Sequence, residues 1–183
     1  MILISLEYKN MAIIKKIRGN TPKIGKNTWM AENAVIIGDV VCGEDCTFWF
    51  HSVTRGDVNS ITLGNKVNVQ DGAILHVSYL TAKLLIGDNV SIGHRAMVHG
   101  CTIENNVLIG MGAIVMDHAI IGSNSIIAAG SVVLENTVVE PNSLYAGIPA
   151  KKIKSIESGK NLEMIQRIAN NYRMYAAWYE EDQ

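Results

Sequence analysis

Aliphatic residues return at every sixth position along most of this chain. Leu63, Val69 and Leu75 keep the beat, followed by Ile86, Ile92 and Val98, and then by Ile103, Ile109, Val115, Ile121, Ile127 and Val133. A small or β-branched residue often stands four places after the opening one, as at Ala34, Val40, Val67, Ala73, Val90, Ala96, Val107 and Ala113. Glycine, asparagine and charged residues occupy much of the remainder. A sustained period of six marks a parallel β-helix, in which the chain winds around three flat faces and three hexads close one coil. The expected fold class is therefore all-β.

The opening positions group by coil. Ile24, Met30 and Ile36 form the first, and Cys42, Phe48 and Thr54 the second. Leu63, Val69 and Leu75 form the third, and Ile86, Ile92 and Val98 the fourth. Two more coils follow, opening at Ile103 and Ile121, and Val139 begins a partial last one. At a strand spacing of about 4.8 Å, six coils make a prism roughly 30 Å long. Two steps exceed six residues, from Thr54 to Leu63 and from Leu75 to Ile86, so Val58–Thr62 and Ser78–Leu85 are expected to bulge out as loops. After Pro149 the period changes. Leu162, Ile165, Ile168, Ala169, Tyr172, Tyr175, Ala176 and Tyr179 recur at three- and four-residue spacing, which predicts an amphipathic helix over Asn161–Glu180 with Ser158 or Asn161 as N-cap. The chain thus divides into a lead-in over 1–20, a β-helix over 21–150, and a C-terminal helix within 155–180. The helix stripe must be buried on the prism or on a neighbouring subunit.

Composition narrows the function classes. The chain has 183 residues, 48% of them hydrophobic, enough for one domain with a substantial core. Lys+Arg total 16 against 17 Asp+Glu, with no basic run, so no nucleic-acid partner is expected. The apolar opening Met1–Leu6 lacks a basic flank and a cleavage site, which argues against a secretory leader. Met11 is an alternative start, because the patterned sequence begins just after it. No apolar run approaches the roughly 20 residues of a membrane span. Cys42 and Cys46 fall at inward places of one hexad, where buried reduced thiols are preferred over a metal site. Cys101 sits near a coil corner. Reduced cysteines fit a cytoplasmic protein.

The hexad period also places the histidines. His76 follows Leu75 and His99 follows Val98, so both occupy the same outward position on the third face, one coil apart. At about 4.8 Å separation, two imidazoles can converge on one cation. His94 stands two places after Ile92, outward on the second face. In a cyclic trimer the third face of one prism meets the second face of the next, and His94 of a neighbour completes a three-histidine set. Three imidazoles with an open position is the arrangement of a catalytic zinc. Arg55 lies in the column of His76 and His99, and Asp71 in the column of His94 beside Gln70. A trimer would bring these columns together, with an Arg–carboxylate tie across the interface. His51 and His118 read as ordinary solvent-facing or hydrogen-bonded histidines.

The same residues carry a family resemblance. Arg55-Gly56-Asp57, Asn68-Val69-Gln70-Asp71-Gly72, Leu75-His76 and Ile92-Gly93-His94-Arg95-Ala96-Met97-Val98-His99-Gly100 resemble the γ-class carbonic anhydrases and their bacterial relatives. So do Gly38-Asp39-Val40 and Ala146-Gly147-Ile148-Pro149-Ala150-Lys151, and the likeness covers nearly the whole chain after Met11. It implies a left-handed β-helix, a homotrimer, and zinc, iron or cobalt at the subunit interfaces. It implies His76 and His99 from one subunit and His94 from another as ligands. Gln70 would orient the bound hydroxide or bicarbonate. Arg55 and Asp71 would pair between subunits, and Asp57 would support the site. The implied reaction is the reversible hydration of carbon dioxide to bicarbonate. Two features depart from the family's archetype: Val58 replaces a glutamate, and the Val77–Leu85 segment carries no acid where a proton-shuttling glutamate is expected. Slow, buffer-dependent turnover follows from those departures. Two other classes share the fold: an acyltransferase using acyl-coenzyme A with one histidine as general base, and a non-catalytic trimer stapled by metal.

Overall fold

A computed structural model describes residues 12–156 and 159–181. Short strands stack in parallel into a β-helix of about seven turns, followed by one C-terminal helix. The sequence grouping reappears as ladder register. On the second face, Met30 pairs with Phe48, Phe48 with Val69, Val69 with Ile92, and Ile92 with Ile109. On the third, Ile36 pairs with Thr54, Thr54 with Leu75, Leu75 with Val98, and Val98 with Val115. Cys42, Leu63, Ile86, Ile103, Ile121 and Val139 form the first-face column in the same way. These opening residues point inward and, apart from the partly buried Met30, are buried, so each coil's core sits on the core of the next.

Most corners are closed by a left-handed residue three places after an opening one. Along one edge these are Asn89, Asn106, Asn124 and Asn142, with φ between 54° and 58°. Asparagine tolerates this conformation because its short amide bonds locally. Here each side chain bonds the asparagine one coil away, at 3.3, 3.2 and 3.1 Å, giving the edge a ladder of its own. His51 and His118 also occupy left-handed corners, and His51 bonds Asn33 through both its backbone N–H and its ring.

The lead-in contributes β1 (Ile13–Lys15), which lies parallel to β3 (Val35–Cys42) and covers its outer edge. Between them comes β2 (Trp29–Met30), and beyond them β4 (Thr47–Phe48) and β5 (Val53–Leu63). β3 and β5 each run continuously from the third face to the first. This corrects the loop expected at Val58–Thr62. Ile61 and Thr62 are back in the ladder opposite Val40 and Val41, and the surplus residues form a bulge where the register slips between Gly38 and Val40. The inward, fully buried Ile61 side chain recaptures the strand. The second expected loop is also shorter than 78–85. Ser78 and Ala82 close a tight turn by an antiparallel bridge, and Leu84–Ile86 is already strand, with Leu84 buried.

Helix α1 (Lys160–Glu181) starts one residue earlier than the sequence pattern suggests. The Gly159 carbonyl accepts the first helical bond, from the Glu163 N–H at 2.9 Å, so Asn161 lies inside the first turn and Gly159 takes the capping position. Ser158, Met11 and the Met1–Leu6 stretch fall outside the described residues. The helix runs back down the second face of its own prism. Ile168 lies beside Ile109 and Ile127, Tyr172 beside Trp49, and Tyr179 against Trp29 and Phe50. Ile165, Ala169 and Ala176 are buried. Among the described residues, no helix is long and apolar enough to cross a membrane.

Candidate metal centre

His76 ends the strand Ile74–His76 and His99 ends Met97–His99, and the two residues are direct ladder partners. Their side chains therefore emerge side by side from the third face, with His76 Nδ1 3.0 Å from His99 Nε2. Each ring is backed by a carboxylate on its far nitrogen. Asp57 Oδ1 lies 3.1 Å from His76 Nε2, and Asp117 Oδ1 bonds His99 Nδ1. Asp57 is itself held by the Arg55 guanidinium at 2.5 Å, and Asp117 accepts a bond from the Ser78 hydroxyl at 2.5 Å. Partial burial pushes both carboxyls up, yet these bonds prevail and hold both below the usual carboxylate range.

An ionised carboxylate can only accept, so the far nitrogen of each ring must carry the proton. In the neutral rings, the two facing nitrogens then both present lone pairs. Burial, with the nearby Arg55 charge, holds His76 below the ordinary histidine value and so favours its neutral form. Two lone pairs facing one another across 3.0 Å repel unless a proton or a metal ion is shared between them. Tetrahedral ligation with bonds near 2.1 Å sets nitrogens about 3.4 Å apart, so the pair fits a metal after opening by a few tenths of an ångström.

His94 follows the strand Ser91–Ile92 and projects from the second face. Its Nδ1 donates to Asp71 at 2.8 Å, leaving Nε2 as acceptor for the Tyr172 hydroxyl at 3.2 Å. Burial, helped by the Asp71 charge, pushes Tyr172 up to about 12, which keeps it a donor. Gln70 is locked beneath. Its Oε1 accepts from the His94 backbone N–H at 3.1 Å, and its Nε2 donates to Asn68, which donates to Ser91. One Gln70 N–H remains to spare. All three histidines thus share one pattern, with one nitrogen backed by an aspartate and the other turned away from it. Carboxylate-backed histidines are characteristic of metal ligation.

Within one chain the predicted residues fall into two sets. His76, His99, Asp57 and Arg55 are contiguous on the third face, whereas His94, Asp71 and Gln70 are contiguous on the second. Arg55 pairs with Asp57 and Asp71 with His94; among the described residues, the two sets share no ion pair. No single-chain cluster of three metal-binding side chains exists among the described residues. The sequence reading overlooked Asp117, Ser78 and Tyr172. Asp117 stands two places after Val115, the hexad place of Asp71 and His94 on the other face, so a signal was present. Tyr172 lies 78 residues from His94 and gave none. Cys42, Cys46 and Cys101 are free and buried in the core. The neighbouring thiol holds Cys42 below the usual thiol value, and the same neighbour together with burial holds Cys46 above it.

Comparison with known proteins gives the family of the chain. The family model described as bacterial transferase hexapeptide (six repeats) matches residues 83–115 and 100–135. A carbonic anhydrase of Geobacillus kaustophilus is 45% identical over 168 residues, spanning 92% of this chain and 91% of that protein. The mitochondrial gamma carbonic anhydrase 2 of Arabidopsis thaliana is 37% identical over 157 residues, 83% of this chain and 56% of that protein. A solved hexapeptide transferase family protein from Anaplasma phagocytophilum superposes with a TM-score of 0.86 at 35% identity, covering 91% of this chain and 98% of that one. With hexapeptide coils throughout and relatives of this similarity over most of its length, the chain belongs to the γ-class carbonic anhydrase-like family of hexapeptide-repeat proteins.

Proposed function

We propose that this protein hydrates carbon dioxide reversibly to bicarbonate at metal sites shared between the subunits of a homotrimer. The observation that carries this reading is the pair of facing, carboxylate-backed nitrogens of His76 and His99. His94 of a neighbouring subunit is the third ligand, its Nε2 giving up the Tyr172 hydroxyl to bind the metal. Zinc is the proposed metal, with iron or cobalt as substitutes. A zinc ion held by three imidazoles supplies, near neutral pH, a nucleophile made from water by lowering its pKa from ~15.7 to ~7.

The chain's own groups divide the remaining work. Asp57 and Asp71 fix the tautomers and orientations of His76 and His94. Arg55 holds Asp57 and, in the trimer, reaches Asp71 of the next chain. Gln70, immobilised at both ends of its amide, directs its spare N–H at the reacting oxygen. A cleft of about 420 Å³ between α1 and the second face adjoins Gln70 and Tyr172 and is walled by Ile109, Met111 and Ile127. Apolar walls suit carbon dioxide better than charged bicarbonate, which favours release of product. Proton export is the weak step, because Val58 and the Val77–Leu85 segment offer no acid.

Stopped-flow hydration with the fully metallated protein tests this. Activity above background that is lost in His99→Ala supports the reading; absence of activity across several metals and buffers refutes it. Acyl transfer is the second reading, favoured by the transferase-family neighbour and by the apolar cleft beside Gln70 and Tyr172. Calorimetric binding of acetyl-coenzyme A by metal-free protein would support it. The free, buried thiols suit a reducing compartment, and the cytoplasm is the proposed location.

A further inference from the structure

We infer that Asp117 is a positioning residue for His99, locking its ring so that Nε2 faces the metal position, and that the turn at Ser78 locks Asp117 in its place. The inference rests on the metal-site reading above and concerns residues that the hexad columns of histidines do not include.

Three observations converge on it. The Asp117 carboxylate bonds His99 Nδ1 from one coil away, so the two strands hold ring and carboxylate at a fixed height. Its second oxygen accepts from Ser78, 39 residues earlier in sequence, across the turn closed by the Ser78–Ala82 bridge. Between them lies Gly100, where a Cβ would stand 2.3 Å from Asp117 Oδ1 and 2.6 Å from the Ala82 Cβ. The absent side chain is what lets the carboxylate reach the ring. Both carboxylate oxygens are thus committed, and a committed carboxylate tolerates only the Nδ1–H tautomer of His99. The Val77–Leu85 segment, which has no acid, acquires a different duty: it sets the orientation of a ligand.

Tautomer and affinity report this separately. Histidine ¹⁵N spectra of the metal-free protein should show His99, identified by its loss in His99→Gln, as the Nδ1–H form. Asp117→Asn keeps an acceptor and should keep that form, whereas Asp117→Ala should lose it. Zinc dissociation constants, measured against a competing chelator, should rise about 10- to 100-fold in Asp117→Ala and only a few-fold in Asp117→Asn. Ser78→Ala and Gly100→Ala, which loosen or displace a carboxylate that remains charged, should move both readouts in the same direction. They carry the comparison if the Asp117→Ala chain does not fold. An unchanged His99 tautomer in these variants, or unchanged zinc affinity alongside a changed tautomer, overturns the inference. Failure of the wild-type protein to bind zinc would refute the metal-site reading instead, and the tautomer comparison would still decide the role of Asp117.

Discussion

Thr54 stands in the inward column between Ile36 and Leu75, fully buried, with a hydroxyl that has no hydrogen-bond partner among the described residues. A buried unpaired hydroxyl costs roughly 1–3 kcal/mol. Thr54→Val keeps the shape and removes that cost, so it should stabilise the protein by about 1 kcal/mol, read as a higher urea midpoint at unchanged slope. The lowered acids give a second prediction. Asp57 and Asp117 lie below the usual 3.8 because, although burial opposes it, their bonds to Arg55 and His76, and to His99 and Ser78, favour the charged form. The unfolded chain therefore takes protons more readily, and the stability they confer is full above that value and lost as pH falls through the lower folded values. His76, lowered chiefly by burial, adds loss of the same sign as pH drops below about 6.5. Urea midpoints of metal-free protein should decline toward acid in both windows, and His76→Gln should flatten the upper one. Residues set by the hexad period, such as His76 and His99, were legible because a ladder turns sequence spacing into height. Tyr172 was not, because its place depends on how a helix docks, and spacing along the strands says nothing of that.

At the scale of elements, the corners are as periodic as the strands. Asn106 sits mid-ladder, left-handed, bonded to the asparagines above and below. Asn106→Ala should cost about 1–2 kcal/mol from the backbone alone, whereas Asn106→Gly should cost less because glycine adopts φ > 0 freely. Chemical denaturation of the two variants side by side separates backbone strain from the lost amide bonds. The two loops were misplaced for a reason visible in the residues. Counting surplus positions shows that a coil is long, but a bulge within a strand and a loop between strands have the same count. Ile61 and Leu84, both fully buried aliphatics, mark where the ladder resumes. The helix stripe was legible at three- and four-residue spacing, while its start was set by the Gly159 carbonyl, which no side-chain pattern encodes.

At the scale of the whole molecule, the histidines divide between faces, so the proposed site exists only where two chains meet. Chains carrying His94→Ala and chains carrying His76→Ala should each purify without metal. When the two are refolded together, some interfaces combine an intact His76–His99 pair with an intact His94, and part of the metal content should return. Co-refolded trimers, with mixing established by mass, that stay as empty as their parents would rule out the shared site. The helix along the second face has a consequence for growth of the fold. Its 22 residues span about 33 Å, nearly the height of seven stacked coils at about 4.8 Å each. The two elements work as a vernier with unequal divisions, because a coil adds about 4.8 Å while a helical turn adds about 5.4 Å. Lengthening the prism by a duplicated coil therefore has no matching insertion in the helix: three residues restore most of the height but rotate the stripe, and four nearly restore the face but overshoot. Tyr172 would lose either its level or its aim at His94. A scaffold that is modular in its strands is fixed in length by the helix that returns along it.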